Sequence, residues 1–182
     1  MKKERFEAIT DAVLAIIMTL MILEIKIPEI TVENLPIILQ QILIYAISFV
    51  SIAILWLNHH HIFANIKTVS LNLVWLNFVL LFFTSLLPIA TEHLSINFHH
   101  KANHIFFGLS MAIVTTLYSL IQLLVMKNNP ENYSHKTNRR NWLSVSLWAL
   151  SIPLCFVSIY LSGIIFLLVP TMYFLVSNKS IS

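Results

Sequence analysis

Long apolar runs, broken by short polar breaks, set the pattern of the whole chain. The runs approach 20 residues, the length needed to cross a bilayer as helix, and read as six helices. The first covers about 5–27 and ends at Pro28. The second covers about 35–57 and gives way to the polar stretch "NHHHIFANIK". The others cover about 71–91, 103–126, 142–160 and 163–176, with kinks expected at Pro88 and Pro153. The last two are joined by only "LSG" and should form a tight hairpin. The 182 residues therefore read as one all-α, six-helix transmembrane domain.

Composition agrees. The chain is 58% hydrophobic and 10% charged, with mean hydropathy +0.82, whereas soluble domains are about a quarter charged. Its pI near 9.1 does not point to nucleic acid, because the cations gather in particular loops. Lys2, Lys3, Arg5, Lys67, Lys127, Lys136, Arg139, Arg140 and Lys179 fall on one side, and Lys26 and Lys101 on the other. Such a bias puts both termini in the cytoplasm. Trp56, Trp75, Tyr133 and Trp142 fall near the cytoplasmic boundaries, as interfacial aromatics do. Cys155 reads as a small packing residue. Acidic residues inside the first run, and no small-residue cleavage site, argue against a cleaved signal peptide.

The first helix, "RFEAITDAVLAIIMTLMILEIK", carries the candidate chemistry. At ~100° per residue, Ile16, Thr19, Leu20 and Leu23 share one arc, and Asp11 points more than ~100° from its centre. From pattern alone the stripe fits packing or lipid contact, and Thr19 fits a hydroxyl bonded back to the preceding turn. Asp11 costs a few kcal/mol in an apolar run and needs a partner. Arg5 is six residues away, so another helix should supply it. Asp11 then belongs either to a stabilising polar cluster or to an element that positions a permeation pathway.

His59, His60 and His61 are adjacent, so on a helix they diverge and lack the i,i+4 spacing of a metal pair. His59 or His60 could face the bundle and bond Asp11 or Asn77, a buried amide able to bridge helices. The outer histidines His93, His99, His100 and His104 read as a solvated loop. No TVGYG-like filter, nucleotide loop, H-E-x-x-H or nucleophile elbow occurs, so the chain does not read as an enzyme and no cofactor is expected.

Arg5-x-x-x-Ile9-Thr10-Asp11 resembles the R-x-x-x-F-S-D signature in the prokaryotic relatives of the lysosomal potassium channel known as transmembrane protein 175. "AVLAIIMTLMIL" resembles that family's pore-lining run. Trp56, His59, His60 and Phe63 match its W-x-x-H-H-x-x-F element. Asn77 and Pro88 fall where the family has an asparagine and an outer proline. Ile9 and Thr10 depart from the signature while keeping its apolar and hydroxyl character, and Ile89 follows Pro88 where phenylalanine is usual.

The resemblance implies a potassium-permeable cation channel of the bacterial plasma membrane, a homotetramer whose first helix lines a central pore. Ile16 would be the hydrophobic constriction, with Thr19, Leu20 and Leu23 also facing the pore. Arg5, Thr10, Asp11, Trp56, His59, His60 and Asn77 would form a polar network behind it, with permeant potassium the only bound species. The competing reading is a secondary transporter or proton-coupled carrier that uses Asp11 and the histidines as a relay. Against it, the chain lacks the paired broken helices typical of carriers.

Overall fold

The computed structural model describes residues 3–64, 66, 69–128 and 135–177; Lys2, Lys67, Tyr133 and Lys179 lie outside the described residues. These form α1 (Lys3–Leu20), α2 (Leu35–Ala64), α3 (Leu71–Thr84), α4 (Leu87–Ile96), α5 (Lys101–Asn128), α6 (His135–Val157) and α7 (Ile159–Ser177). No strand occurs among them. By length and composition, Leu35–Phe63, Leu71–Ile96 and Lys101–Lys127 are each able to cross a membrane.

Helix boundaries depart from the sequence reading for identifiable reasons. The first helix stops at Leu20 rather than near residue 27. Its ladder tightens there to i→i−3 bonds, Leu23 N–H to Leu20 O (3.0 Å) and Ile25 N–H to Ile22 O (3.4 Å), as at many helix ends. The second runs on to Ala64, 30 residues in all, or about 45 Å at 1.5 Å per residue. A hydrocarbon core is about 30 Å thick, so the histidine run can be helical and still lie beyond it. Nothing between Leu57 and Ala64 breaks a helix, and Pro36 sits in the first turn, where its missing N–H costs nothing.

Pro88 does more than kink the third run. It separates α3 from α4, because it has no N–H to bond the Thr84 carbonyl. Ser85 ends α3, its N–H reaching Leu81 O at 2.9 Å, and Pro88 opens α4. At the other end of α3, Ser70 caps the helix by accepting from Leu73 N–H at 3.3 Å.

α6 begins at His135 and continues through Pro153. Only Ser158 separates it from α7, so "LSG" lies within α7 rather than in the turn. The two helices pack back on each other, with Trp148 and Phe166 at 5.7 Å and the Ser144 and Tyr173 hydroxyls at 3.1 Å. Phe107 of α5 completes this core, 4.8 Å from Phe166. Gly108 lets α5 approach α6, since a Cβ there would stand 2.6 Å from Ser151 Oγ. Cys155 is buried. α1 lies against α2, α3 and α4.

Candidate functional site

Three faces of α1 follow from its sequence. Phe6, Thr10, Leu14 and Ile17, spaced by three and four, form the buried face. At its centre, Thr10 donates its hydroxyl to Phe6 O at 3.1 Å. With that single hydrogen committed, Thr10 Oγ1 can only accept from Asn77 Nδ2 at 2.8 Å. The same amide's Oδ1 must then accept, so His59 carries its proton on Nε2, 2.9 Å away. Thr10, His59 and Asn77 are 0%, 1% and 1% exposed. The chain of bonds ties α1 to α3 and α3 to α2.

The second face holds Asp11, whose Oδ1 accepts from Trp56 Nε1 at 2.9 Å. Trp56, His59, His60 and Phe63 fall on one side of α2 at i, i+3, i+4 and i+7. His60 stacks on Trp56, with centroids 5.7 Å apart. His59 stacks on Phe63 at 4.1 Å, and Phe63 meets Phe6 at 5.0 Å. His60 therefore joins the cluster by ring contact, and its side chain is otherwise exposed. Arg5 does not join it: it is exposed and makes none of these bonds.

The third face bears Ile16, Leu20 and Leu23, which are 56%, 45% and 73% exposed, with Leu23 in the turn after α1. Thr19 lies among them. Its hydroxyl is turned back to Ile16 O at 2.9 Å and Ala15 O at 3.1 Å. Among the described residues this apolar stripe has no cover.

Among the described residues, no group of three histidine, cysteine or carboxylate side chains converges as a metal site. His104 departs from the solvated-loop expectation: it is buried in the first turn of α5, with Nε2 2.7 Å from Phe98 O.

Further polar contacts were not anticipated. Thr91 of α4 donates to Leu87 O at 2.8 Å and lies 2.9 Å from Ser48 Oγ of α2. Lys26 Nζ lies 2.6 Å from Glu92 Oε1. Asn141 donates to Gln122 and accepts from the Tyr173 hydroxyl at 2.9 Å. Ser48 and Gln122, polar residues inside apolar runs, were the available signal; Asn141, at the end of a polar stretch, and the ion pair gave none.

A family described as the endosomal/lysosomal potassium channel TMEM175 matches residues 5–88, which include every member of this network. A potassium channel of Chryseobacterium sp. (strain P1-3) is 34% identical over 168 residues, covering 89% of this chain and 87% of that protein. A potassium channel of Chamaesiphon minutus is 28% identical over 183 residues, covering 90% of each. The crystal structure of a lysosomal potassium-selective channel TMEM175 homolog from Chamaesiphon minutus superposes with a TM-score of 0.86. It is 24% identical and covers 97% of this chain and 98% of that one.

The fold is thus all-helical, with apolar, membrane-type helices, and shares the architecture of that crystal structure. The chain belongs to the TMEM175 potassium-channel family, as a prokaryotic member.

Proposed function

We propose that the chain forms a potassium-permeable cation channel in the bacterial plasma membrane. Four copies surround a central pore, each crossing the membrane six times with both termini in the cytoplasm. α3 and α4 together make one crossing. The observation that carries this reading is the uncovered aliphatic stripe of α1, on a helix whose rotation is set by buried polar bonds on another face.

Turned to a four-fold axis, the Ile16 side chains form a ring that excludes water when closed and conducts when side-chain rotation or a small helix shift widens it. Thr19, Leu20 and Leu23 extend the lining outward. Branched alkyl groups cannot replace a hydration shell as rings of carbonyls do, so potassium is preferred only moderately. Asp11, Thr10 and Asn77 act behind the pore, holding α1 in register. Asp11 is engaged by Trp56 and His59 by Asn77, which disfavours a proton relay through them and with it a carrier. No cofactor takes part beyond the permeant ions, and the reading assigns no enzymatic step.

Potassium flux from liposomes containing the purified protein tests this, with sodium and caesium as comparisons and Ile16→Asn alongside. Potassium-preferring flux, raised or made less selective by the substitution, is expected. Well-folded protein with no flux in either form refutes it.

A further inference from the structure

On the opposite side of α2 from α1, a narrow crevice of about 50 Å³ lies between α2 and α7, floored by α5 and α6. Its lining changes character along its length. At one end Asn58, Tyr118, Ser144 and Tyr173 supply one polar side chain from each of the four helices. At the other, Ile52, Met111, Trp148 and Val169 of the same helices are apolar. In the proposed orientation the polar end is the cytoplasmic one.

Arg140 closes that end. Its Nη2 donates to Asn58 Oδ1 at 3.4 Å, and its guanidinium lies 4.3 Å from the centroid of the Tyr173 ring. Its Nε is buried without a hydrogen-bond partner, and no carboxylate among the described residues forms an ion pair with it. The Tyr118 hydroxyl, on a side chain 3% exposed, lies at the same end, beside Asn141 and Arg140. A guanidinium only donates. The end of the crevice thus holds a cation with no paired carboxylate among the described residues, whose Nε–H is left over after Asn58 Oδ1 has accepted from Nη2. Trp142, two residues on and partly exposed, fits the level of the lipid headgroups.

We propose that this crevice is a binding site for an anionic phospholipid of the cytoplasmic leaflet. The headgroup phosphate accepts from Arg140, and the start of an acyl chain lies toward the apolar end. Basic pockets between helices on the cytoplasmic side take lipid phosphates in this way, and a guanidinium matches phosphate geometry. The crevice admits phosphate oxygens and a water rather than a whole headgroup, so the headgroup stays at the rim. The assignment rests on the proposed orientation only for which leaflet supplies the lipid.

The test uses the full chain in detergent and reads binding rather than flux, so an inactive channel would not be mistaken for failure of the site. Melting temperature is measured with added phosphatidylglycerol, phosphatidylcholine or inorganic phosphate, and retained lipid is counted by native mass spectrometry. Phosphatidylglycerol should raise the wild-type melting temperature by several degrees and be retained, and phosphatidylcholine should do neither. Arg140→Gln should lose this preference, Arg140→Lys should keep part of it, and Arg139→Gln, at an exposed neighbour, should keep all of it. Equal effects of the two lipids on the wild type overturn the proposal even if Arg140→Gln fails to fold. Undiminished preference in folded Arg140→Gln, or equal protection by inorganic phosphate, also overturns it.

Discussion

Asn77→Ala is the sharpest perturbation of the assembly behind α1. It deletes the acceptor of the His59 Nε2–H and the donor to Thr10 Oγ1 together. Interhelical hydrogen bonds in membrane proteins average about 0.6 kcal/mol and reach about 1.7, so two lost bonds set a floor of about 1 kcal/mol. The orphaned groups differ. Thr10 keeps its own donation to Phe6 O and loses little. His59 is sealed between Phe6 and Phe63, and an unsatisfied buried donor costs about 1–3 kcal/mol. The expected loss is therefore about 2–4 kcal/mol.

Trp56→Phe is the internal comparison. It breaks the single bond to Asp11 between two half-buried side chains, and should cost about 0.6 kcal/mol. Reversible unfolding of the protein in bicelles by steric trapping measures both. Thr10→Val and the Thr10→Val/Asn77→Ala pair complete a double-mutant cycle. An Asn77→Ala penalty no larger than that of Trp56→Phe would refute the claim that the buried amide anchors α1.

Ile16→Asn should increase leak current and reduce discrimination between potassium and sodium in planar bilayers; unchanged currents would remove Ile16 from the constriction. Asp11→Ala should lower the yield of assembled channel or abolish current, read by size-exclusion chromatography and flux; a normally assembled, fully active variant would contradict the anchoring role. Gly108→Ala forces Ser151 to turn and give up its 2.6 Å bond to Trp148 O, an overpacking cost of about 1–3 kcal/mol. Adding Ser151→Ala should recover most of the lost melting temperature, and no recovery would show that the strain lies elsewhere.

Hydropathy located the apolar segments because each must hide its backbone in its own hydrogen bonds. It misjudged where helices end, since apolarity and helicity are separate properties. α2 stays helical through three histidines, and only then do Trp56, His59, His60 and Phe63 become one face directed at α1. The need of Asp11 for a partner on another helix followed from the cost of a carboxylate in that setting. Trp56 as that partner did not, because an indole near a boundary is equally at home against lipid. Pro88 announced a disturbance, but its size depended on the Ser85 cap. Arg5 shows the reverse case: placed with the network by resemblance, it stays exposed, because a long cation near a helix start reaches solvent more cheaply than a buried cluster.

The position of the network in the chain bears on biosynthesis. Its bonds join residues from Phe6 to Asn77, so all of its members have been synthesised before α5, α6 and α7 exist. The later helices carry a separate set of polar ties, Gln122 to Asn141 and Tyr173 to Asn141. Chains fold from the N-terminus as they are made. The orientation of α1 can therefore be fixed at the translocon, and the later helices are then added to a helix whose uncovered face is already chosen.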